Sequence, residues 1–418
     1  MGIFILILIN IFCPFAALII VLSFLISSRR GVLKTLFTEL GERFVIKKSA
    51  FPGPCIWFHA ASVGEVKSIA AIAQKLKEKY NLPVLVTTLT KAGQKAAQKI
   101  KVFDCALLAP IDFYFIIKRF LKFYKPKMLI IVEADLWPNM IYASAMAGVK
   151  IGIINGRLSK RSAKRYKLLK PLVDLLLPQI SFICAQSEEI KKRYISLGAK
   201  KDCVFACGNI KYDSLTETPN RLDEAKQIIN KLSWQNSKIL VCGSTHDLEE
   251  KIIINAAHAF KDVKFIIAPR HLERAKQIKE NLQKENLKFA FLSNLAAAPK
   301  DSQILVADTM GLLGALYKVG TLTFVGGSIV KKGGHNFLEA AILKKPVMFG
   351  KYYYNAPEVA SKLLKSGGGV LVSKNNFNKE LKKYLEDAVL LNTSAQAALD
   401  CALSFKGATE KSLEVINL

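Results

Sequence analysis

The chain has 418 residues, 51% of them hydrophobic and 22% charged, which excludes a disordered chain and, at roughly 100–200 residues per domain, fits two or three domains with a sizeable core. Its 61 Lys and Arg against 33 Asp and Glu leave a net charge of +28, a surplus that calls for a polyanionic partner such as nucleic acid, anionic lipid or a phosphorylated substrate. The 8 cysteines include no Cys-x-x-Cys pair, so they read as reduced, cytoplasmic thiols rather than a disulfide framework or a zinc finger.

Chain order begins with an uncharged apolar run from Ile3 to Ile26. As a helix it reaches across a hydrocarbon core of roughly 30 Å. Arg29, Arg30, Lys34, Arg43, Lys47 and Lys48 follow it and nothing basic precedes it. The positive-inside bias therefore predicts a retained membrane anchor over 1–28, with everything after it in the cytoplasm. A cleaved signal peptide and a helix lying in the membrane interface are the competing readings. The first lacks its basic n-region.

Beyond the anchor, short apolar runs alternate with helical stretches. Cys55–His59, Pro83–Thr88, Met128–Val132, Lys150–Ile154 and Phe182–Ala185 read as buried strands, with helices predicted over Val66–Tyr80 and Phe113–Tyr124. The rhythm restarts at Lys238–Cys242 and continues through Lys264–Ala268, Gln303–Val306, Thr321–Val325 and Pro346–Phe349. Strand–helix alternation predicts α/β architecture with parallel sheets covered on both faces. The reading is two doubly wound, Rossmann-type domains, 29–212 and 237–418, joined by a polar linker over 213–236. Ligands are expected in a crevice at the carboxyl ends of the strands.

Polar residues gather at those strand ends. After the first strand, Ser62-Val63-Gly64-Glu65 opens a helix. Glu65 there is either a general base at the crevice mouth or a carboxylate complementing the helix dipole, and spacing does not choose. Glu133 and Asp135 follow Met128–Val132; a salt bridge with Lys or Arg is the simpler account and a required metal is disfavoured. Two acid-free basic runs, Lys118–Lys127 and Arg157–Lys170, suit a surface docked on anionic headgroups. Nucleic acid is the rival partner, but no zinc finger, helix-turn-helix or aromatic-rich basic strand supports it. In the second half, Gly243-Ser244-Thr245-His246, Pro269-Arg270-His271 and Asp308-Thr309-Met310-Gly311 each follow a strand. Two diglycines flank a basic loop from Gly326 to Gly334, ahead of Asn336-Phe337-Leu338-Glu339. Glycines permit close backbone approach, and an acid at a helix start can grip ribose hydroxyls. This half reads as a nucleotide-sugar site.

Taken in order, His59-Ala60-Ala61-Ser62-Val63-Gly64-Glu65, Glu133-x-Asp135-Leu136-Trp137-Pro138-Asn139, Asn155-x-Arg157-Leu158-Ser159, Pro269-Arg270-His271, Asp308-Thr309-Met310-Gly311 and Gly333-Gly334-His335-Asn336-x-Leu338-Glu339 resemble the 3-deoxy-D-manno-octulosonic acid (Kdo) transferases of lipid A assembly. The resemblance spans nearly the whole chain. It implies a GT-B fold, CMP-Kdo as donor, a tetraacylated, phosphorylated lipid A precursor as acceptor, and a place on the cytoplasmic face of the inner membrane. By matching motif it makes Glu65 the general base and Glu133 and Lys211 the stabilisers of the transition state. Pro269, Arg270, Met310, Gly311, Leu312, Asn336, Phe337, Leu338 and Glu339 would bind CMP. It implies inversion in one displacement and neither cofactor nor metal, since CMP leaves as a monophosphate ester. Leu312 stands where the family usually has Glu, Phe337 and Ala340 replace usual prolines, and Ala109-Pro110-Ile111-Asp112 replaces a Tyr-bearing loop. Two alternatives remain: a GT-B transferase using a UDP or GDP sugar, and a basic membrane-surface adaptor with an inactive transferase fold.

Overall fold

Runs of buried aliphatic residues build two separate all-parallel sheets in the computed structural model, which describes residues 1–12, 39–46, 53–133 and 136–418. The chain divides into two units, Met1–Ser214 with Lys406–Leu418, and Leu215–Phe405. The first sheet contains β1 (Cys55–His59), β2 (Val84–Thr88), β3 (Cys105–Leu108), β4 (Pro126–Val132), β5 (Lys150–Gly156), β6 (Phe182–Ala185) and β7 (Val204–Ala206), in the order β3-β2-β1-β4-β5-β6-β7. The second contains β8 (Lys238–Thr245), β9 (Val263–Pro269), β10 (Phe289–Phe291), β11 (Ile304–Val306), β12 (Leu322–Val325), β13 (Val347–Phe349) and β14 (Gly369–Leu371), in the order β10-β11-β9-β8-β12-β13-β14.

Side chains of a strand alternate between the faces of its sheet. Trp57, Leu129 and Ile151 accordingly enter one buried cluster of the first unit, and Ile56, Phe58 and Ile130 enter the other. Both faces are covered, so β1, β2 and β5 read as almost unbroken apolar runs. The strand order reverses between β1 and β4 in one sheet and between β8 and β12 in the other. At such a switch point the flanking loops diverge and leave room for a ligand at the carboxyl ends.

Four expectations are corrected. The strands absent from the sequence reading, β3, β7, β10 and β14, are the four sheet edges; each is short and all but β3 carry two residues that keep solvent contact, which blurs their pattern. The helix predicted over Val66–Tyr80 is divided at Ile69 into Val63–Ser68 and Ala70–Tyr80. Residues 213–236 are no linker: Leu222–Lys231 is a helix of the second unit, and Trp234 is buried there with its indole N–H donating to the Ser302 carbonyl at 3.1 Å. The second domain does not run to 418, because the helix Ala408–Val415 returns to the first unit. Asp213 accepts from the backbone N–H groups of Gly407, Ala408 and Thr409 at 2.8, 3.2 and 2.6 Å, and Ile416 is fully buried in that unit's core. A carboxylate there satisfies donors that a helix start leaves free.

Among the described residues no helix is long and apolar enough to cross a membrane. The expected spanning helix is thus unsupported; beyond residue 12 its remainder lies outside the described residues. Residues 2–12 are helical and lie on the first unit, with Leu6 buried in its core. Asn10 donates to Asn139 Oδ1 at 2.7 Å and accepts from the Tyr114 backbone N–H at 2.9 Å.

Candidate functional site

In the first unit, the turn after β1 holds a carboxylate in a fixed pose. Ser62 caps the helix Val63–Ser68, its Oγ accepting from the Glu65 backbone N–H at 3.3 Å. The Glu65 side chain folds back, Oε1 accepting from Ser62 Oγ at 2.8 Å and Oε2 from the Ala61 N–H at 2.7 Å. This is a capping-box arrangement displaced by one residue. The capping reading of Glu65 and the base reading are therefore compatible. A carboxylate offers about four lone-pair sites, so two remain for a substrate hydroxyl. Burial is the main influence on its pKa and raises it. The bonds from Ser62 and Ala61 oppose that rise, the Glu133 charge adds to it and the Lys211 charge reduces it.

Those last two residues reach the same neighbourhood from other strands. Glu133, directly after β4, has φ +69° and its N–H donates to the Ile154 carbonyl at 3.0 Å. Its Oε1 accepts from Lys211 Nζ at 2.5 Å. Lys211 sits in a single 3-10 turn that Asn155 steadies, Asn155 Oδ1 accepting from the Ile210 N–H at 3.2 Å. Asn155 itself is buried, has φ +53°, and its Nδ2 has no hydrogen-bond partner among the described residues. His59, at the end of β1, is buried with Nδ1 3.0 Å from Thr87 Oγ1 and Nε2 without a partner among the described residues; burial pushes its pKa down to about 4, so it is neutral. Asp135 lies outside the described residues.

The second unit gathers a different chemistry at its own switch point. His246 follows β8, Arg270 and His271 follow β9, and His335 lies in the loop after β12. His246 Nε2 and His335 Nε2 are 3.1 Å apart with their rings stacked, and His271 meets His246 edge-on at 6.0 Å between centroids. One buried carboxylate holds this together. Glu249 Oε2 accepts from the His246 and Gly327 N–H groups at 3.1 and 2.8 Å, and Oε1 from Ser328 and Ile329 at 3.0 and 2.9 Å. Glycine is required beside it. A Cβ on Gly326 would lie 2.5 Å from the Ser244 carbonyl oxygen, and Gly327, at φ +70°, brings its Cα against the His335 ring where a Cβ would lie 2.8 Å away.

The remaining expected donor residues divide by what their side chains can do. Asn336 Nδ2 donates to Glu339 Oε1 at 3.2 Å, and the Glu339 carboxyl is raised by the protein packed around it, opposed by Asn336 and by the Arg270 charge. Met310 is exposed, in a turn whose Met310 carbonyl accepts from Arg221 Nη1 at 3.2 Å and whose Gly311 has φ +87°. Leu312, Phe337 and Leu338 are fully buried, so they can present backbone only; the Leu that replaces a usual Glu at 312 has turned into the core. Pro269 ends β9 and is likewise buried. Sequence reasoning left Glu249 and Asn155 without a role and gave His246 and His335 none of their own. The one signal was the Glu three residues beyond His246, a capping-box spacing. Among the described residues no group of three or more His, Cys, Asp or Glu is placed to hold a metal ion.

Residues 38–214 match the family model described as 3-Deoxy-D-manno-octulosonic-acid transferase (kdotransferase). The 3-deoxy-D-manno-octulosonic acid transferase of Haemophilus influenzae is 34% identical over 397 residues, which cover 90% of each chain. Its counterpart in Chlamydophila psittaci is 32% identical over 356 residues, 83% of this chain and 82% of the other. A crystal structure of UDP-GlcNAc 2-epimerase from Neisseria meningitidis shares the fold, with a TM-score of 0.59 over 87% of this chain and 99% of that one at 15% identity.

Proposed function

The chain belongs to the 3-deoxy-D-manno-octulosonic acid transferase family and is a glycosyltransferase with two parallel-sheet α/β domains of GT-B type; from that membership we propose that it transfers Kdo from CMP-Kdo to the 6-hydroxyl of a tetraacylated lipid A precursor, with inversion. Ionised Glu65 takes the hydroxyl proton as the acceptor oxygen forms its bond to the anomeric carbon of Kdo, and the bond from that carbon to the CMP phosphate oxygen breaks on the opposite face. The electron pair leaves with CMP. Lys211, held by Glu133, offsets negative charge developing on the reacting groups, and Arg270 holds the donor phosphate. Asn336 and Glu339 take the ribose, while Pro269, Met310, Gly311, Leu312, Phe337 and Leu338 contribute backbone and shape.

The observation that carries this reading is the pose of Glu65: a carboxylate of raised pKa, fixed by Ser62 and Ala61, at the switch point of a parallel sheet and within the electrostatic reach of a Lys–Glu pair. Product mass after incubation with CMP-Kdo and the tetraacylated precursor tests it. Glu65→Gln is expected to lose transfer while keeping CMP binding and thermal unfolding unchanged. Near-normal turnover by that variant overturns the base. Stabilisation by UDP or GDP rather than CMP overturns the donor.

The same reading places the protein on the cytoplasmic face of the inner membrane. Phe4, Phe12, Phe115 and Leu168 are exposed apolar side chains of the first unit; the helix Tyr114–Tyr124, which holds Phe115, carries Lys118, Arg119 and Lys122, and the helix Lys160–Leu168, which ends in Leu168, carries Arg161, Lys164, Arg165 and Lys167. Each such charge contributes about 1 kcal/mol near an anionic surface. Salt-sensitive binding to anionic vesicles, weakened by Leu168→Asp with Phe115→Asp, is the expected result. Equal binding to neutral vesicles refutes the headgroup contact.

A further inference from the structure

The second unit contains an unbalanced concentration of cationic and proton-accepting groups that the nucleoside contacts leave unused. His246, His271 and His335 stand together, with Arg270 and Lys332 close enough to act on the imidazoles. The carboxylates packed nearby are committed elsewhere. Glu249 faces four backbone N–H groups, Glu250 and Asp247 pair with Arg274 at 2.6 and 3.1 Å, and Glu339 accepts from Asn336. Glu273 lies 3.8 Å from His271 alone. Arg270 is exposed and forms no ion pair among the described residues. The helix Asp247–Ala259 directs its amino end to the same place, and the cluster sits where strand order reverses between β8 and β12.

We infer that the His246–His335 pair, with His271, Arg270 and Lys332, is an oxyanion seat that takes up a proton when the nucleotide-sugar donor binds. The inference rests on the donor reading above, in which Arg270 already holds the phosphate, and adds to it the histidines and Lys332 that surround the donor's anionic centre. Two donor groups share the required chemistry, the phosphodiester and the sugar carboxylate. The free pair is held neutral: burial and the surrounding cations lower both imidazoles, His335 to about 4. With both rings neutral, one Nε2–H donates to the other Nε2, so the pair keeps a single further N–H, on Nδ1 of the accepting ring, and carries no charge. Protonation adds a second N–H and a positive charge to the pair, and an oxyanion stabilises the imidazolium so formed. Glu249 is the positioning residue, since it ties the His246 turn and the Gly327–Ile329 backbone to one carboxylate.

The sign follows from linkage. A group whose pKa is low when free and raised when bound takes up a proton on binding, so donor affinity rises as pH falls from 8 to 6, by at most about tenfold per pH unit for one proton. Calorimetry of the full-length chain with CMP at pH 7.5, where the nucleotide's phosphate (second pKa about 6) is already ionised, in two buffers of different ionisation enthalpy, measures the uptake by the protein. His335→Gln and His246→Gln are then compared with wild type for CMP affinity and for the KM of CMP-Kdo. If the seat holds the phosphate, CMP affinity falls about tenfold or more in both variants and its proton uptake disappears. If it holds the carboxylate, CMP binding is unchanged while KM for CMP-Kdo rises by a similar factor and loses its pH slope. CMP affinity and donor KM both within twofold of wild type in both variants overturn the seat. So does a wild-type protein whose CMP binding takes up no proton and whose donor KM is flat from pH 6 to 8, a result that needs no variant to fold. A preference for UDP or GDP over CMP refutes only the donor reading, because proton uptake with the preferred nucleotide still tests the seat.

Discussion

Glu249 offers the sharpest test of how the second unit is assembled. Its carboxylate has no solvent contact and accepts four backbone hydrogen bonds between 2.8 and 3.1 Å, two on each oxygen. Glu249→Gln preserves shape but turns one acceptor oxygen into an NH2 group, which then faces two N–H donors. Two hydrogen bonds are lost and two buried donors are left unsatisfied, a cost of about 1–3 kcal/mol each. Removing a buried charge offsets part of this, leaving a net loss of about 2–4 kcal/mol. Hydrogen exchange at Gly327, Ser328 and Ile329 reads that loss locally, as exchange about 30- to 1000-fold faster in the variant. Glu250→Gln serves as the control, since Glu250 pairs with Arg274 and Thr245 and touches none of these amides. Unchanged exchange at the three amides in Glu249→Gln would refute the clamp.

Three further outcomes follow from the first unit. Ser62→Ala removes a helix cap and a bond that lowers the Glu65 pKa; stability should fall by about 1 kcal/mol, and the acid limb of the kcat/KM profile should move to higher pH. Glu133→Gln and Lys211→Met should shift that limb in opposite directions, since the Glu133 charge raises the Glu65 pKa and the Lys211 charge lowers it: residual activity of Glu133→Gln persists to lower pH, and that of Lys211→Met begins to fail at higher pH. Shifts of the same sign would show that Glu65 is not the titrating group. Asn10→Ala removes the bonds to Asn139 and Tyr114 and should speed hydrogen exchange across residues 2–12 about tenfold or more, with no change at β1 or β4; equal protection in variant and wild type would show that Asn10 does not hold that helix in place.

Much of this molecule is written locally. The inner strands of both sheets are legible because burial on two faces leaves short apolar runs such as Val84-Leu85-Val86 and Phe182–Ala185. The polar residues at their carboxyl ends are legible because a strand tip is where a parallel sheet meets its ligand. Local pattern stops there. The edges β3, β7, β10 and β14 are short and, β3 apart, mostly half-exposed, so their residues resemble loop residues. Attachment of Ala408–Val415 to the first unit depends on Asp213, some two hundred residues earlier, and no periodicity encodes such a partner. The pairing of Glu133 with Lys211 across 78 positions and the meeting of His246 with His335 across 89 likewise arise only when loops from different strands converge. Composition and pattern set which chemical groups stand at the strand ends; packing alone decided which of them touch, because the electrostatics of a site depend on distances of a few ångströms that sequence separation does not measure.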